Sequence, residues 1–441
     1  MPARAQLKLR VLDSVGVAVG ALDAAPIVLV REQLAEFGGT PLATAIDAGR
    51  TAPDRAAFYN GALVRYLDFN DAYLAPGETC HPSDNLAPVL AAAEYARADG
   101  RTLLTALAVA YEVQTRLCDV APVRARGFDH TTQGAYAAAA GVARALGLDA
   151  ARTANAIAIA GTSLNALRVT RTGALSHWKG LAYPMTAFGA THAAFLAMRG
   201  ITGPREVFEG NKGFIETIAG PFEIDWRRED LESVRRTILK RYNAEIHAQS
   251  AIEALLELRA EHAPAPETVA RVELDTFQVA FDIIGGGEEG DKRRVSTKEE
   301  ADHSLPYLLA VALLDGQVLP GQFLPERIAA RDVQGLLRRV DVRPDSDFSA
   351  RFPAEHCARV RVTLRDGRVF EREQRDYEGF HTRPMTWEAV VAKFDRLARV
   401  RVGHARRARI VETVAHLDEV RVQDLTVQLA SLTAPDDAKP A

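Results

Sequence analysis

From Leu7 to about His262 the apolar positions recur at helical spacing, with few of the two-residue alternations that mark strands, so this stretch is predicted to be helical. Ser250 to Leu258 shows the pattern: Ile252, Leu255 and Leu256 fall on one face, with Glu253 and Glu257 expected to point away. The Ala-rich run from Ala135 to Ala145 suits close helix packing. The pattern stops at Ala263-Pro264-Ala265-Pro266, where proline removes backbone donors and turns the preceding residues from the helical region. A domain boundary is placed there.

Beyond it, Val272 and Leu274, and later Val360, Val362 and Leu364, alternate with polar residues, and Asp366-Gly367 supplies a hairpin turn before Val369 and Phe370. Ala301 to Leu314 and Pro325 to Arg339 read as helices between them, so an antiparallel sheet with helices is expected. Helical spacing returns at Met385 to Val400 and Ala405 to Leu417. The predicted fold is mainly α with a second α+β domain: a large helical domain from residues 1–263 joined by the C-terminal helices of 396–441, and an α+β domain at 264–395. Thr433 to Ala441 has little to bury and is expected to be loosely attached. No internal repeat is apparent.

Composition adds exclusions. A chain of 441 residues with 47% hydrophobic and 25% charged residues is an ordinary globular protein, long enough for two or three domains. With 54 Lys plus Arg against 58 Asp plus Glu, the net charge of -4 gives no global attraction to nucleic acid or an anionic membrane. Cys80, Cys118 and Cys357 show no paired spacing, which argues against a disulfide framework, a structural zinc site or a Cys-ligated iron–sulfur cluster and favours a reducing compartment. The N-terminus lacks the short apolar core and cleavage site of a signal peptide, and charged residues interrupt each apolar run before a membrane span is reached. A cytoplasmic protein is expected.

Candidate chemistry lies in five segments. The first is Tyr66-Leu67-Asp68-Phe69-Asn70-Asp71 followed by Cys80-His81-Pro82-Ser83-Asp84-Asn85. A loop carrying Asp68, Asp71, Glu78, His81 and Asp84 between helices can bring a proton acceptor and donor together. Helix capping by Ser83 or Asp84 explains the same residues. The second, Gly127 to Thr132, offers His130, which alone reads more readily as a capping or packing residue. The third runs from Arg168 and Arg171 to Ser176-His177-Trp178-Lys179-Gly180. Arginine matches a carboxylate with two hydrogen bonds, and a lysine in a dry site stabilises charge on an enolate-like intermediate. A solvated basic face is the plain alternative. The fourth, Lys240 to Gln249, precedes the helix at Ser250; its helix N-terminus, Lys240 and Gln249 favour an anion, though ordinary capping remains open. The fifth, Ala301-Asp302-His303-Ser304-Leu305-Pro306-Tyr307, could supply an imidazole or a phenol. There is no Walker loop, strand-linked GxGxxG, GxSxG elbow or HExxH, so nucleotide cofactors and serine hydrolysis lose support.

Together, LDFND…GETCHPSDN, GFDHTT, SHWKG, KRYNAEIHAQ and ADHSLPY, in this order, resemble the MmgE/PrpD family, which includes 2-methylcitrate dehydratase, cis-aconitate decarboxylase and iminodisuccinate epimerase. The resemblance runs from Leu7 to the Leu417-Asp418-Glu419-Val420 region. It implies a large helical domain, a smaller α+β lid domain, a homodimer, a small tricarboxylate substrate, and no cofactor, metal or iron–sulfur cluster. By position, Asp68 and His81 match the first active-site motif, His130 the second, and Lys179 and Lys240 the two lysines. Arg168, His247, Gln249, His303 and Tyr307 are the expected substrate-binding residues. The decarboxylase branch has a threonine where this chain has Ala72, and HPSG where it has HPSDN, so the resemblance favours the dehydratase branch. Water elimination from 2-methylcitrate, with citrate as a second substrate, is the implied reaction. A related decarboxylase or epimerase, and a non-catalytic polycarboxylate-binding protein, are the competing readings.

Overall fold

The computed structural model describes residues 2–432 except 226, 228 and 229; the expected loose tail at 433–441 lies outside the described residues. The chain forms two compact units, one of Met1–Thr170, Gly180–Leu239 and Thr386–Ala441, the other of Arg171–Lys179 and Lys240–Met385. The first is mainly helical and the second mixes helices with a sheet, which is the expected fold class.

In the helical unit, the N-terminal helix Ala3–Gly20 packs against Pro53–Tyr66 and the C-terminal helix Trp387–Ala398. The approach is close at Gly16, where an added Cβ would lie 3.1 Å from Phe394 Cα. The tail thus returns to the helical unit. Inside this contact Lys393 Nζ lies 2.7 Å from Asp13 Oδ1, both buried. The Ala-rich helix Thr131–Ala145 packs on Gly100–Val120 and Ala150–Ser163. Its small residues permit this: a Cβ on Gly141 would lie 2.8 Å from Val89 Cγ2 and 2.9 Å from Ala110 Cβ. Two small hairpins interrupt the predicted helical run. β1 (Ala43–Thr44) pairs with β2 (Arg50–Thr51), and β3 (Tyr73–Ala75) with β4 (Glu78–Cys80) around Gly77 at φ +79°. Cys80 and Cys118, distant in sequence, meet in a buried cluster with Tyr73 and Ala75, as free thiols.

In the second unit, β5 (Val269–Thr276), β6 (Val340–Pro344), β7 (Ala358–Leu364) and β8 (Val369–Gln374) form a sheet in the order β6-β5-β7-β8. The expected antiparallel sheet is in fact mixed, because β5 and β6 are parallel. More than sixty residues of mainly helical chain separate those two strands, and a long crossover is what parallel pairing needs. β7 and β8 form the predicted hairpin, with Gly367 at φ +91° in its turn. The predicted helices are each broken: Lys298–Ala301 and Leu305–Asp315 are separated by Asp302 to Ser304, and Pro325–Ile328 is separate from Arg331–Leu337. Leu305 to Leu313 are all buried, each large apolar side chain contributing about 1.5–3 kcal/mol.

The boundary expected at residues 263/264 does not coincide with the compact units, which part at Leu239/Lys240 and at Met385/Thr386. The helix Gln249–His262 belongs with the sheet because it packs on β7, β8 and Leu305–Asp315. Glu253, expected to face solvent, is buried; its carboxylate accepts from the Glu378 amide at 3.1 Å and from Arg383 at 2.8 Å. Among the described residues no single helix is long and apolar enough to cross a membrane.

Candidate active site

Asp68 follows the helix Pro53–Tyr66 and sits at φ +56°, a left-handed conformation uncommon for residues other than glycine. Arg65, in the last turn of that helix, donates to Asp68 Oδ1 at 2.8 Å and lies 3.8 Å from Asp84 Oδ2. All three are buried, so the guanidinium compensates carboxylates that would otherwise be costly to hold away from water. Lys393 fixes the next residue by donating to the Phe69 carbonyl at 2.8 Å, with its ammonium 3.8 Å from the Phe69 ring centroid.

The β3–β4 hairpin then brings the chain back. Asn70 Nδ2 donates to Ser83 Oγ at 3.0 Å and Asp84 Oδ1 at 2.8 Å, while Asp71 accepts from the Ser83 amide and the Tyr111 hydroxyl, both at 2.9 Å. Burial pushes the Asp71 carboxyl above its ordinary range against the Ser83 and Tyr111 hydrogen bonds. The polar side chains of this segment bond one another, Asn70 bridging Ser83 and Asp84. Glu78 has a structural use, accepting from the Val123 and Arg124 amides at 3.2 and 3.1 Å. His81 Nδ1 lies 2.7 Å from the Asp71 carbonyl. Since a carbonyl only accepts, Nδ1 carries the proton, and in the neutral ring Nε2 has the lone pair.

His130 joins this group, its ring edge-on to His81 with centroids 5.4 Å apart. It immediately precedes the helix Thr131–Ala145 but makes no side-chain cap; its Nδ1 lies 3.3 Å from Asp129 Oδ1, which also accepts from the Thr131 amide. Arg168 lies in the same unit: its amide donates to the Gly127 carbonyl at 2.9 Å, and Phe128 bridges Leu167. Its main chain is thus tied to the segment carrying His130.

The second unit holds another cluster. Lys179 Nζ donates to Asp302 Oδ1 at 3.0 Å and lies 3.0 Å from His303 Nδ1, which is itself 2.7 Å from that oxygen. Lys298 Nζ contacts the other Asp302 oxygen at 2.6 Å. Burial alone would raise the Asp302 pKa, but Lys179, Lys298 and His303 outweigh it and hold the carboxyl below its ordinary range. His303 Nδ1 accepts from the ammonium in one tautomer and donates to the carboxylate in the other. The break between two helices makes this possible by exposing Asp302 and His303 to a common neighbour. Arg171 helps hold the lysine's main chain, donating to the Lys179 carbonyl at 2.9 Å.

Lys240 is fully buried in this unit. Near it in sequence, Glu245 accepts from the His247 amide and meets His247 Nδ1, both at 2.7 Å, while the Glu245 amide donates to the Asp302 carbonyl at 3.0 Å. Burial opposes ionisation of Glu245, but His247, His303 and Lys240 bring its pKa down to about 2. Two expected ligand residues are occupied otherwise. Gln249 takes the Tyr242 amide and donates to the Tyr242 and Ala244 carbonyls, bracing the loop. The Tyr307 hydroxyl donates to the Gln322 carbonyl, and its ring lies in the core. Arg65, Asp302 and Glu245 were not singled out as site residues from sequence. The spacing of Arg65 to Asp68 across a helix end, and of Glu245 to His247, is the signal that could have found Arg65 and Glu245.

Imidazoles in defined hydrogen bonds, buried carboxylates and compensated ammonium groups make up the equipment of an acid–base enzyme. The sequence comparisons give that class its family. The MmgE/PrpD N-terminal domain matches residues 1–227 and the MmgE/PrpD C-terminal domain residues 242–419; the chain belongs to the MmgE/PrpD family. It is an enzyme of the lyase class. Among its relatives, a 2-methylcitrate dehydratase of Cupriavidus necator is 31% identical over 75% of this chain and 72% of its own length. The mitochondrial 2-methylcitrate dehydratase of Yarrowia lipolytica is 27% identical over 85% and 76%. A cis-aconitate decarboxylase of Mus musculus is 27% identical over 78% and 72%.

Proposed function

We propose that this chain is a hydro-lyase that eliminates water from 2-methylcitrate, and from citrate as a second substrate, giving 2-methylaconitate or cis-aconitate. The observation that carries this reading is the set around His81: its Nδ1–H donates to the Asp71 carbonyl, so the lone pair of the neutral ring is on Nε2, and a second imidazole, His130, stands edge-on to it. Elimination needs one group to take the carbon-bound proton and another to give a proton to the departing hydroxyl. His81 takes the base role, with Asp68 orienting the substrate, and His130 the acid role. The carbon–hydrogen pair becomes the new double bond as the carbon–oxygen bond breaks and water leaves. Lys179 and Lys240 stabilise the enolate-like charge that develops on the neighbouring carboxylate. Arg168, His247 and His303 hold substrate carboxylates.

Relatives named 2-methylcitrate dehydratase support this reading, and Ala72 at the position of the decarboxylase threonine favours it over decarboxylation. Three cysteines, all free, fit a reducing cytoplasm, and a homodimer, which light scattering measures, is the assembly we propose. Proton NMR of the enzyme with 2-methylcitrate, citrate, cis-aconitate or iminodisuccinate tests the reaction. The expected result is conversion of 2-methylcitrate to its unsaturated product without carbon dioxide. Carbon dioxide from cis-aconitate, epimerised iminodisuccinate, or thermal stabilisation by these acids without any product would each overturn it.

A further inference from the structure

His247 is held more elaborately than a residue that only contacts a substrate carboxylate requires. One Glu245 oxygen accepts its main-chain amide and the other meets Nδ1, both at 2.7 Å, so a single carboxylate grips the residue at two points. The ring is walled by Phe277 and Phe352, with centroids at 5.6 and 5.7 Å, and stacks on His356 at 6.1 Å and 14°. His356 in turn has Nδ1 2.8 Å from Ser250 Oγ. Burial, and then the nearness of His247, bring the His356 pKa down to about 3, so this neighbour stays neutral near pH 7 and does not repel charge on His247. His303 and Lys240, with His247 itself, keep Glu245 ionised, and Lys292 feels its charge. Tyr377 and His381 lie beyond His356. Meanwhile His247 Nε2 is buried and has no hydrogen-bond partner among the described residues. A buried polar atom is costly without a partner, and a rigidly held ring that leaves one nitrogen unmatched is built to meet something that comes and goes.

We propose that Glu245 is a positioning residue: it fixes His247 with the proton on Nδ1, so that Nε2 is presented to an oxygen of the substrate and exchanges a proton with it during turnover. This rests on the hydro-lyase reading only for the identity of the substrate. The proton balance is simple: the Nε2 lone pair takes up a proton from solvent as substrate binds, gives it to a substrate carboxylate oxygen as charge develops there, and that carboxyl returns it to water when product leaves, while Nδ1–H stays on Glu245.

Glu245→Gln makes the test sharp. The glutamine oxygen is needed by the His247 amide, which turns the NH2 toward Nδ1 and obliges that nitrogen to accept, so the proton moves to Nε2. With 15N-histidine labelling, and the His247 signals identified by their loss in His247→Asn, the wild-type ring should show the Nδ1–H tautomer and Glu245→Gln the Nε2–H tautomer. With 2-methylcitrate, kcat should fall by about 10²-fold, the scale of one acid–base group, with KM changed far less. Glu245→Asp, too short to grip both points, should recover only part of it. A wild-type ring with its neutral proton on Nε2 overturns the proposal without any variant. So does an unchanged tautomer in folded Glu245→Gln, or an inverted one with full kcat, or a loss confined to KM. If the tautomer inverts but the wild-type enzyme converts none of the tricarboxylates, the positioning role stands and the hydro-lyase assignment fails.

Discussion

Lys393→Met separates charge from packing at a point where the C-terminal helix meets the candidate site. Methionine keeps most of the lysine stem's volume, so the cavity contribution is small. What is lost is an ammonium 2.7 Å from Asp13, 2.8 Å from the Phe69 carbonyl and 3.8 Å from the Phe69 ring centroid. The Asp13 contact alone corresponds to about 6 kcal/mol of gross Coulomb attraction at an effective dielectric of about 20, offset in part by the desolvation that the variant no longer suffers. Breaking one side of a buried pair costs about 3–5 kcal/mol, because the partner charge is left behind. We expect about 4 kcal/mol for Lys393→Met at pH 7.5, read by equilibrium denaturation. The double variant Asp13→Asn/Lys393→Met should be markedly less destabilised than the sum of the two single variants. The penalty is also pH-dependent. Burial already raises the Asp13 pKa against the pull of Lys393; without the ammonium it rises further, above its unfolded value, so the folded state binds the extra proton. The stability deficit is then full at high pH and shrinks as pH falls through the folded pKa. Since Phe69 follows Asp68, kcat should fall as well. A deficit under about 1 kcal/mol, or strictly additive single and double variants, would refute the reasoning.

Three further perturbations probe other parts of the molecule. Gly100→Ala places a Cβ 1.6 Å from the Leu417 carbonyl oxygen, a backbone clash that flexible side chains cannot relieve; a thermal melt should show a loss of several kcal/mol or no soluble protein. His356 has its pKa brought down from 6.5 to about 3 by burial and by His247, so the unfolded chain takes a proton that the folded one refuses. Stability should therefore fall as pH drops from about 6.5 toward 3, at about 1.4 kcal/mol per pH unit for this group, and His356→Gln should show a slope shallower by one proton. Lys179→Met leaves Asp302 with Lys298 at 2.6 Å, so kcat should collapse by more than about 10²-fold while the melting temperature moves modestly; a fall in stability with kcat intact would remove Lys179 from the chemistry.

Much of this was legible in the chain itself. Helical spacing through the first half, the proline break, the Asp366-Gly367 hairpin and the five ordered motifs depend on local periodicity and on residue chemistry, which a sequence carries directly. The pairings came only with the tertiary structure. Nothing local distinguishes the parallel partner of β5 from an antiparallel one, places Glu253 in the interior, or sets Cys80 beside Cys118. The same holds within the site. Spacing alone leaves the first motif open to helix capping and His130 to packing; only the fold joins Arg65 to Asp68 and Asn70 to Asp84 and stands His130 against His81. Gln249 and Tyr307, attractive as ligands by position, turned out to serve backbone carbonyls. Chemistry-bearing side chains can be recognised by type, but their tautomers, charges and partners are set by what burial brings within 3 Å, and burial is a property of the whole fold.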